Sequence, residues 1–186
     1  MSAGTGGTLS GVSHFLRESS SNLKHVKVIL VDPPGSCLFN KVKLNVAYTS
    51  EQQERRLHRH RYDTIVEGIG LDRITKNIAL GLDLGIIDDA VKVTDQEAVD
   101  IAHWILKEEG LFVGSSSAMN ISAAIGYAAL MPSGSSIVTI ICDGGQRHLS
   151  RFYNRDFILR SGLKWPGDDI IAWIGRLPFQ LSVLSS

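Results

Sequence analysis

The first residues that could do chemistry form a glycine-rich loop, Gly4-Thr5-Gly6-Gly7-Thr8. Its three glycines would let the backbone approach an anion closely, and its two threonines can donate hydrogen bonds. Apolar residues recur at helical spacing after the loop, so we expect it at a helix N-terminus, where N–H groups and the helix dipole favour negative charge. The loop is therefore typical of a phosphate cradle. The alternative is a tight strand-to-helix turn without a ligand, and the loop alone does not decide between the two.

The loop lacks the features of a nucleotide site. It has neither the lysine of a P-loop nor the G-x-G-x-x-G spacing of a dinucleotide fold. A phosphate loop normally leaves the end of a buried strand, and only Met1-Ser2-Ala3 precedes Gly4, so we expect no strand there. From this we expect an internal-start, spliced or fragmentary product of a longer chain.

The composition limits the partners. The 186 residues are 44% hydrophobic, with 19 basic and 19 acidic side chains, so no overall field would draw nucleic acid or a membrane surface. A basic run, residues 55–61, lacks interleaved aromatics and is interpreted as a solvated face or an anion-attracting segment. Cys37 and Cys142 lack metal-type spacing, so we expect no metal site and a reducing compartment, with Cys142 a buried small hydrophobe. The apolar stretch of the tail is too short for a membrane span.

The elements needed to position the loop are those of an α/β protein. An apolar run at residues 26–31 predicts a buried parallel strand, and Thr94 and Glu97 form a capping box for a helix that ends at Gly110. Further along, the pattern predicts a short strand at 111–113, a helix at 118–131 and a second buried strand at 137–142. This order predicts a parallel sheet flanked by helices.

Four segments together resemble one family. They are residues 4–12, the glycine turn at 66–70, the segment 108–118 and the turn at 142–150. In this order they are similar to the motifs of the cysteine synthase and cystathionine β-synthase family of pyridoxal-phosphate (PLP) enzymes, and the Asp32-Pro33-Pro34-Gly35-Ser36 phrase resembles its fungal branch. The resemblance implies an incomplete fold-type-II domain, of the tryptophan synthase β-like type, lacking most of its N-terminal half. Residues 1–160 are then its C-terminal portion, and 161–186 a tail of unknown role.

The resemblance also implies roles. Pyridoxal 5'-phosphate would bind through its phosphate to Gly4, Thr5, Gly6, Gly7 and Thr8. Aligned on the family motif, Ser116 would hydrogen-bond the pyridine nitrogen. The implied reaction is β-replacement on an O-activated serine with sulfide to give L-cysteine, in a homodimer that is cytoplasmic or mitochondrial.

The chain also departs from the family pattern. The family's Schiff-base lysine lies upstream of the phosphate loop, and no lysine of this chain occupies a recognisable PLP-facing motif, so no catalytic residue is assigned. Leu71-Asp72-Arg73 replaces the family's usual small residues, which leaves the amino-acid substrate open. We expect the chain to be inactive alone. The alternatives are a non-catalytic binding or dimerisation module that docks on a full-length homologue, and a phosphate-metabolite binder.

Two histidines complete the candidates. His103 follows the helical pattern and is interpreted as a packing residue. His148, in the turn after the last predicted strand, is equally compatible with a functional and a surface role.

Overall fold

A computed structural model describes residues 1–18, 23–48 and 64–166. The basic run at 55–61 and most of the tail lie outside these residues. The chain divides into two compact units: unit 1 comprises residues 1–64 and 68–92, and unit 2 comprises residues 65–67 and 93–186.

The secondary structure of the described residues mixes helices with short strands. The helices are α1 (Gly7–Glu18), α2 (Leu38–Leu44), α3 (Lys76–Asp83), α4 (Asp95–Glu109), α5 (Ser115–Ala128) and α6 (Arg155–Arg160). The strands are β1 (Ile29–Asp32) and β2 (Asp89–Lys92), and a 3-10 turn spans Gly145–His148. The predicted α/β class is therefore confirmed. No helix among the described residues is long and apolar enough to cross a bilayer.

Unit 1 contains a small parallel sheet. β1 pairs with β2, with Ile29 opposite Asp89. Ser2 forms a parallel bridge with Val31, whose N–H donates to the carbonyl of Met1 at 2.9 Å. No strand precedes the loop, as expected, but this single bridge satisfies a backbone N–H of β1 that would otherwise lack a partner.

The core of unit 1 holds the elements around this sheet. Leu9 of α1, Leu30 of β1, Leu38 of α2 and Ile78 of α3 are buried in one apolar cluster. Packing in this cluster fixes α1 against the sheet and α3, and α1 begins at Gly7, within the loop Gly4–Thr8.

A carboxylate is buried where β1 ends. Asp32 is fully buried, and one of its oxygens accepts a hydrogen bond from the backbone N–H of Phe39 at 2.7 Å. Burial raises the pKa of Asp32 to about 6, although hydrogen bonds from Ser36 and Phe39 and the charge of Lys92 oppose the shift. Its other oxygen has no hydrogen-bond partner in the described residues. Ionisation of Asp32 therefore lowers the stability of unit 1 relative to the protonated form.

The burial of Asp32 predicts that the stability of unit 1 depends on pH. The folded pKa of Asp32 lies above its ordinary value, so its stabilising contribution is complete below about pH 4 and is lost as pH rises through about 6. Asp32→Asn should raise the stability of unit 1 at pH 7, by on the order of 3 kcal/mol, and leave it unchanged near pH 4. The measurement is protection of the Leu30 and Val31 amides from hydrogen exchange, compared with wild type at each pH. The exposed Asp83→Asn is the control, and equal protection at pH 7 in Asp32→Asn and wild type would contradict the prediction.

In unit 2, α4 follows the sequence closely. The Thr94 hydroxyl accepts from the N–H of Glu97 at 3.2 Å, and the Glu97 carboxylate accepts from the N–H of Thr94 at 2.6 Å. Gly110 ends the helix with a φ of 68°, in the left-handed region that glycine adopts without strain. The predicted capping box and helix end are both confirmed, and α4 packs on α5.

Two predictions for unit 2 are wrong. α5 begins at Ser115, three residues earlier than expected, with Gly114 as its N-cap. Residues 137–142 form no strand, and Val138 is 92% exposed. A segment rich in β-branched residues forms a strand only when a neighbouring backbone pairs with it. Among the described residues, no segment forms β-sheet hydrogen bonds with residues 137–141. Cys142 is consequently exposed and is not a buried hydrophobe.

The short strand predicted at 111–113 is reduced to one bridge. Val113 pairs with Gly144, and the pairing is antiparallel. The N–H of Gly114 donates to the carbonyl of Asp143 at 2.9 Å, and the N–H of Gly145 donates to the carbonyl of Phe112 at 3.0 Å. This pairing connects the start of α5 to the turn that follows residues 137–142.

Candidate functional site

The loop Gly4–Thr8 lies between the Met1–Ala3 segment and the first turn of α1. Thr5, Gly7 and Thr8 are exposed, whereas Gly6 is buried. Among the described residues, the backbone N–H groups of Gly7 and Thr8 make no hydrogen bond. The first turn of α1 contains no acidic residue. The loop therefore presents unpaired donors at the positive end of a helix, as a phosphate site requires.

Glycine is required at two positions of this loop. A Cβ at Gly4 would overlap the carbonyl oxygen of Gly68, which belongs to the second predicted motif. Gly6 has a φ of 81°, and a Cβ there would overlap the side chain of Ile78. The glycines thus allow the loop to lie directly on the backbone of one segment and on the side chains of α3.

The N-terminus of α3 holds the loop from behind. The Thr75 hydroxyl donates to the carbonyl of Thr5 at 2.6 Å, and the Asn77 amide donates to the same oxygen at 3.4 Å. The Ser10 hydroxyl donates to the carbonyl of Asn77 at 2.7 Å. Because the Thr5 carbonyl is engaged by α3, it does not compete with an anion for the loop's N–H groups. Thr75 and Asn77 were missed in the sequence, although Thr75 caps α3 and threonine is a favoured N-cap.

The three serines at the start of α5 differ in their contacts. The Ser115 hydroxyl accepts from the N–H of Glu67 at 3.1 Å. The Ser117 hydroxyl accepts from the N–H of Cys142 at 2.8 Å and donates to the carbonyl of Asp143 at 3.2 Å. The Ser116 hydroxyl makes no hydrogen bond among the described residues. Ser116 is therefore the serine whose hydroxyl remains available for a ligand.

A buried histidine and a carboxylate lie beside this serine turn. His148 is 4% exposed, and its Nε2 lies 2.8 Å from an Asp143 carboxylate oxygen. Both groups lie against the Cα of Gly114, where a Cβ would overlap them. His148 Nδ1 and the other Asp143 oxygen have no partner in the described residues. Of the two roles left open for His148, the surface role is wrong, because the side chain is buried beside α5.

His103 is a packing residue, as the sequence indicated. Its ring lies 4.5 Å from that of Trp165 and 5.1 Å from that of Tyr153, measured between centroids. Burial lowers the pKa of His103, so the neutral form predominates.

The predicted site residues thus fall into two groups. Gly4 to Thr8 come together in unit 1, whereas Ser116 belongs to unit 2. The first group presents backbone N–H donors, and the second presents a neutral hydroxyl. The described residues contain no cluster of metal-ligating side chains.

Comparison with known proteins identifies the family. A family model described as "Pyridoxal-phosphate dependent enzyme" matches residues 1–143. Cysteine synthase 2 of Neurospora crassa is 45% identical over 175 residues, which are 93% of this chain and 38% of that protein. Cysteine synthase 2 of Schizosaccharomyces pombe is 42% identical over 161 residues, which are 87% of this chain and 40% of that protein. The crystal structure of an O-acetylserine dependent cystathionine beta-synthase from Helicobacter pylori matches with a TM-score of 0.61 at 29% identity, covering 81% of this chain and 42% of that one.

The chain belongs to the family of pyridoxal-phosphate dependent enzymes, with the fold of the fold-type-II class. Within it, the chain is similar to the fungal cysteine synthases, so the family resemblance of the sequence motifs is confirmed. The chain spans about two fifths of the length of these two relatives, 38% and 40%, which fits an incomplete domain.

The glycine requirement gives a direct test of the loop. Gly4→Ala and Gly6→Ala should destabilise unit 1 by about 1–3 kcal/mol, because each forces an overlap and Gly6→Ala also strains the backbone. Gly11→Ala is the matched control: a Cβ there meets nothing within 4 Å, and alanine favours the helix by about 1 kcal/mol. The free energy of unfolding of unit 1 is measured for the three variants by urea denaturation, monitored through hydrogen exchange of the β1 amides. A Gly4→Ala chain as stable as Gly11→Ala would show that the loop does not adopt this conformation.

Proposed function

We propose that this chain supplies the phosphate-binding and ring-binding residues of a PLP-dependent, cysteine synthase-like protein. The proposed reaction is β-replacement on an O-activated serine with sulfide to give L-cysteine. The observation that carries the proposal is the loop Gly4–Thr8, whose backbone donors remain unpaired at the start of α1. Membership of the family supports the choice of PLP over other phosphate compounds.

The proposed roles follow from the local geometry. When bound, PLP supplies an electron sink for the loss of a β-leaving group. The N–H groups of Gly7 and Thr8 would hold its phosphate, with Thr75 keeping the Thr5 carbonyl engaged. The Ser116 hydroxyl would hydrogen-bond the pyridine nitrogen. A neutral partner leaves that nitrogen largely unprotonated, which favours elimination over transamination or racemisation.

We propose that no lysine of this chain serves as a covalent anchor for PLP. Lys41 contacts the Asn45 side chain at 2.6 Å, Lys43 pairs with Asp89 at 2.5 Å, and Lys92 lies over the Phe39 ring at 5.5 Å. The remaining lysines are exposed: Lys24, Lys27, Lys76, Lys107 and Lys164. A Schiff-base lysine must deprotonate, which requires a buried or cation-neighboured amine. We therefore propose that the chain alone binds PLP without catalysing the reaction.

The binding proposal is tested with the isolated chain. PLP titrated against it should bind saturably and non-covalently, and excess inorganic phosphate should compete, because the proposed contact is with the phosphate. Borohydride reduction followed by mass spectrometry should leave no stoichiometric PLP–lysine adduct. Gly11→Ala should bind like wild type, whereas Gly6→Ala should lose binding. A trapped lysine adduct would contradict the proposed absence of a covalent anchor.

The role of Ser116 needs the rest of the fold, so its test uses a hybrid protein. In it, the part of the Neurospora crassa relative that precedes the matched region is joined ahead of residue 1. Ser116→Ala should lower activity by about fivefold, the equivalent of one hydrogen bond of ~1 kcal/mol, without changing the reaction type. Ser116→Asp should instead hold the ring nitrogen protonated, slow elimination and permit side reactions at the α-carbon.

Ser117→Ala is the control for this test. It removes the bonds to Cys142 and Asp143, so it should lower the free energy of unfolding more than Ser116→Ala does. The absorption spectrum of bound PLP separates the two cases, because only a group at the ring nitrogen shifts it at unchanged stability. If Ser117→Asp shifts the spectrum and Ser116→Asp does not, the ring contact lies one residue further along.

A second candidate function is a non-catalytic module that docks on a full-length homologue. The apolar exposure of residues 137–141 favours it, since Val138 is 92% and Ile141 53% exposed. Co-purification with a full-length relative in the absence of PLP would support this function. The cellular compartment, cytoplasmic or mitochondrial, and a homodimeric state both remain predictions.

A further inference from the structure

The pair formed by Asp143 and His148, beside the start of α5, has no role in the function proposed above. His148 is buried, whereas the Asp143 side chain is 32% exposed. His148 Nε2 lies 2.8 Å from the Asp143 carboxylate, and Nε2 is the donor because a carboxylate only accepts hydrogen bonds. His148 Nδ1 has no partner in the described residues. A buried nitrogen without a partner costs stability, so packing alone would favour an apolar side chain at this position.

The backbone holds the His148 ring where it meets this carboxylate. The His148 carbonyl accepts a hydrogen bond from the N–H of Tyr153 at 3.1 Å. The ring lies edge-on to that of Phe152, with 6.5 Å between centroids. The Tyr153 hydroxyl in turn donates to the carbonyl of Val113 at 2.6 Å. The histidine is therefore fixed from the C-terminal side of the turn, and its Nε2 orients the carboxylate of Asp143.

Asp143 contacts α5 on both sides of Ser116. Its backbone carbonyl accepts from the N–H of Gly114 at 2.9 Å and from the Ser117 hydroxyl at 3.2 Å. Its side-chain oxygen Oδ1 lies against the Cα of Gly114, where a Cβ would overlap it. Gly114 is the N-cap and has no side chain to cap the helix, and the first turn of α5 contains no acidic residue. The Asp143 carboxylate is thus the negative group at the positive end of α5.

Two groups near the start of α5 could therefore meet the nitrogen of a bound pyridine ring. The Ser116 hydroxyl would leave that nitrogen largely unprotonated, whereas the Asp143 carboxylate would hold it protonated. We propose that His148 is a positioning residue that holds the Asp143 carboxylate against Gly114, so that the Ser116 hydroxyl is the group presented to the ring nitrogen. His148 would then help to set the reaction type, since an unprotonated nitrogen favours elimination over transamination. The inference rests on the proposed PLP function.

The test uses the 186-residue chain with PLP labelled with 15N at the ring nitrogen, whose NMR shift reports whether that nitrogen is protonated. Wild type should show an unprotonated nitrogen. His148→Leu removes the N–H donor, so the freed carboxylate should move the signal to the position of a protonated nitrogen. His148→Gln keeps an N–H donor and should retain the wild-type shift. His148→Leu combined with Asp143→Asn should also return to the wild-type shift, a recovery that a merely structural role of His148 does not predict.

His103→Leu is the matched control. It removes another histidine of unit 2, one whose ring packs against Trp165, and it should leave the nitrogen unprotonated. If His148→Leu does not fold, Gly114→Ala replaces it, because the new Cβ displaces the same carboxylate from the opposite side. Gly114→Ala should likewise give a protonated nitrogen, and Asp143→Asn should reverse this effect.

A second measurement needs no cofactor. In the chain without PLP, nuclear Overhauser contacts between the Asp143 side chain and the α-protons of Gly114 should be present in wild type and in His148→Gln, and lost in His148→Leu. Absence of PLP binding by wild type would contradict the proposed function, and the Overhauser contacts alone would then decide whether His148 holds the carboxylate.

Four outcomes would overturn the inference. They are a protonated ring nitrogen in wild type, an unprotonated one in folded His148→Leu, a protonated one in the double variant of His148 and Asp143, and Overhauser contacts to Gly114 that persist in His148→Leu. Each of these is measured by NMR and none requires turnover, so the inference is decided separately from the enzymatic activity.

Discussion

The close packing of the loop Gly4–Thr8 is the constraint on which unit 1 depends. Gly4 lies on the carbonyl of Gly68, and Gly6 lies on Ile78 with a positive φ, so neither position has room for a Cβ. This contact lets Thr75 reach the Thr5 carbonyl at 2.6 Å. With that carbonyl engaged, the N–H groups of Gly7 and Thr8 remain available at the start of α1. The proposed binding of an anion by the loop's N–H groups thus depends on the absence of a Cβ at Gly4 and Gly6.

In unit 2, a glycine likewise allows close packing at the start of α5. Gly114 has no Cβ, and the Asp143–His148 pair occupies the space beside its Cα. Ser117 then joins α5 to the Cys142–Asp143 turn through its hydroxyl. Because its neighbours make these structural bonds, Ser116 is left with a hydroxyl that no described residue engages.

The sequence predicted the features that depend on local patterns. The helix after the loop, the capping box at Thr94 and the end at Gly110 each follow from residues within one turn of one another. The strand at 137–142 could not be predicted correctly, because strand formation depends on a partner remote in sequence. The four-residue strand β2 was missed because it is too short to show a periodicity. The Asp143–His148 pair was missed as a unit because its contact with Gly114 is made only in the folded turn.

The charges near the two helix N-termini explain why the proposed phosphate and ring contacts are not interchangeable. Both α1 and α5 offer the positive end of a helix dipole. At α5, however, the Asp143 carboxylate already lies against the N-cap Gly114, so a second anion there would meet like charge. The first turn of α1 has no acidic residue, and its exposed loop carries unpaired donors. The proposed phosphate contact therefore suits the start of α1, and the proposed contact with an uncharged ring atom suits the neutral Ser116 at the start of α5.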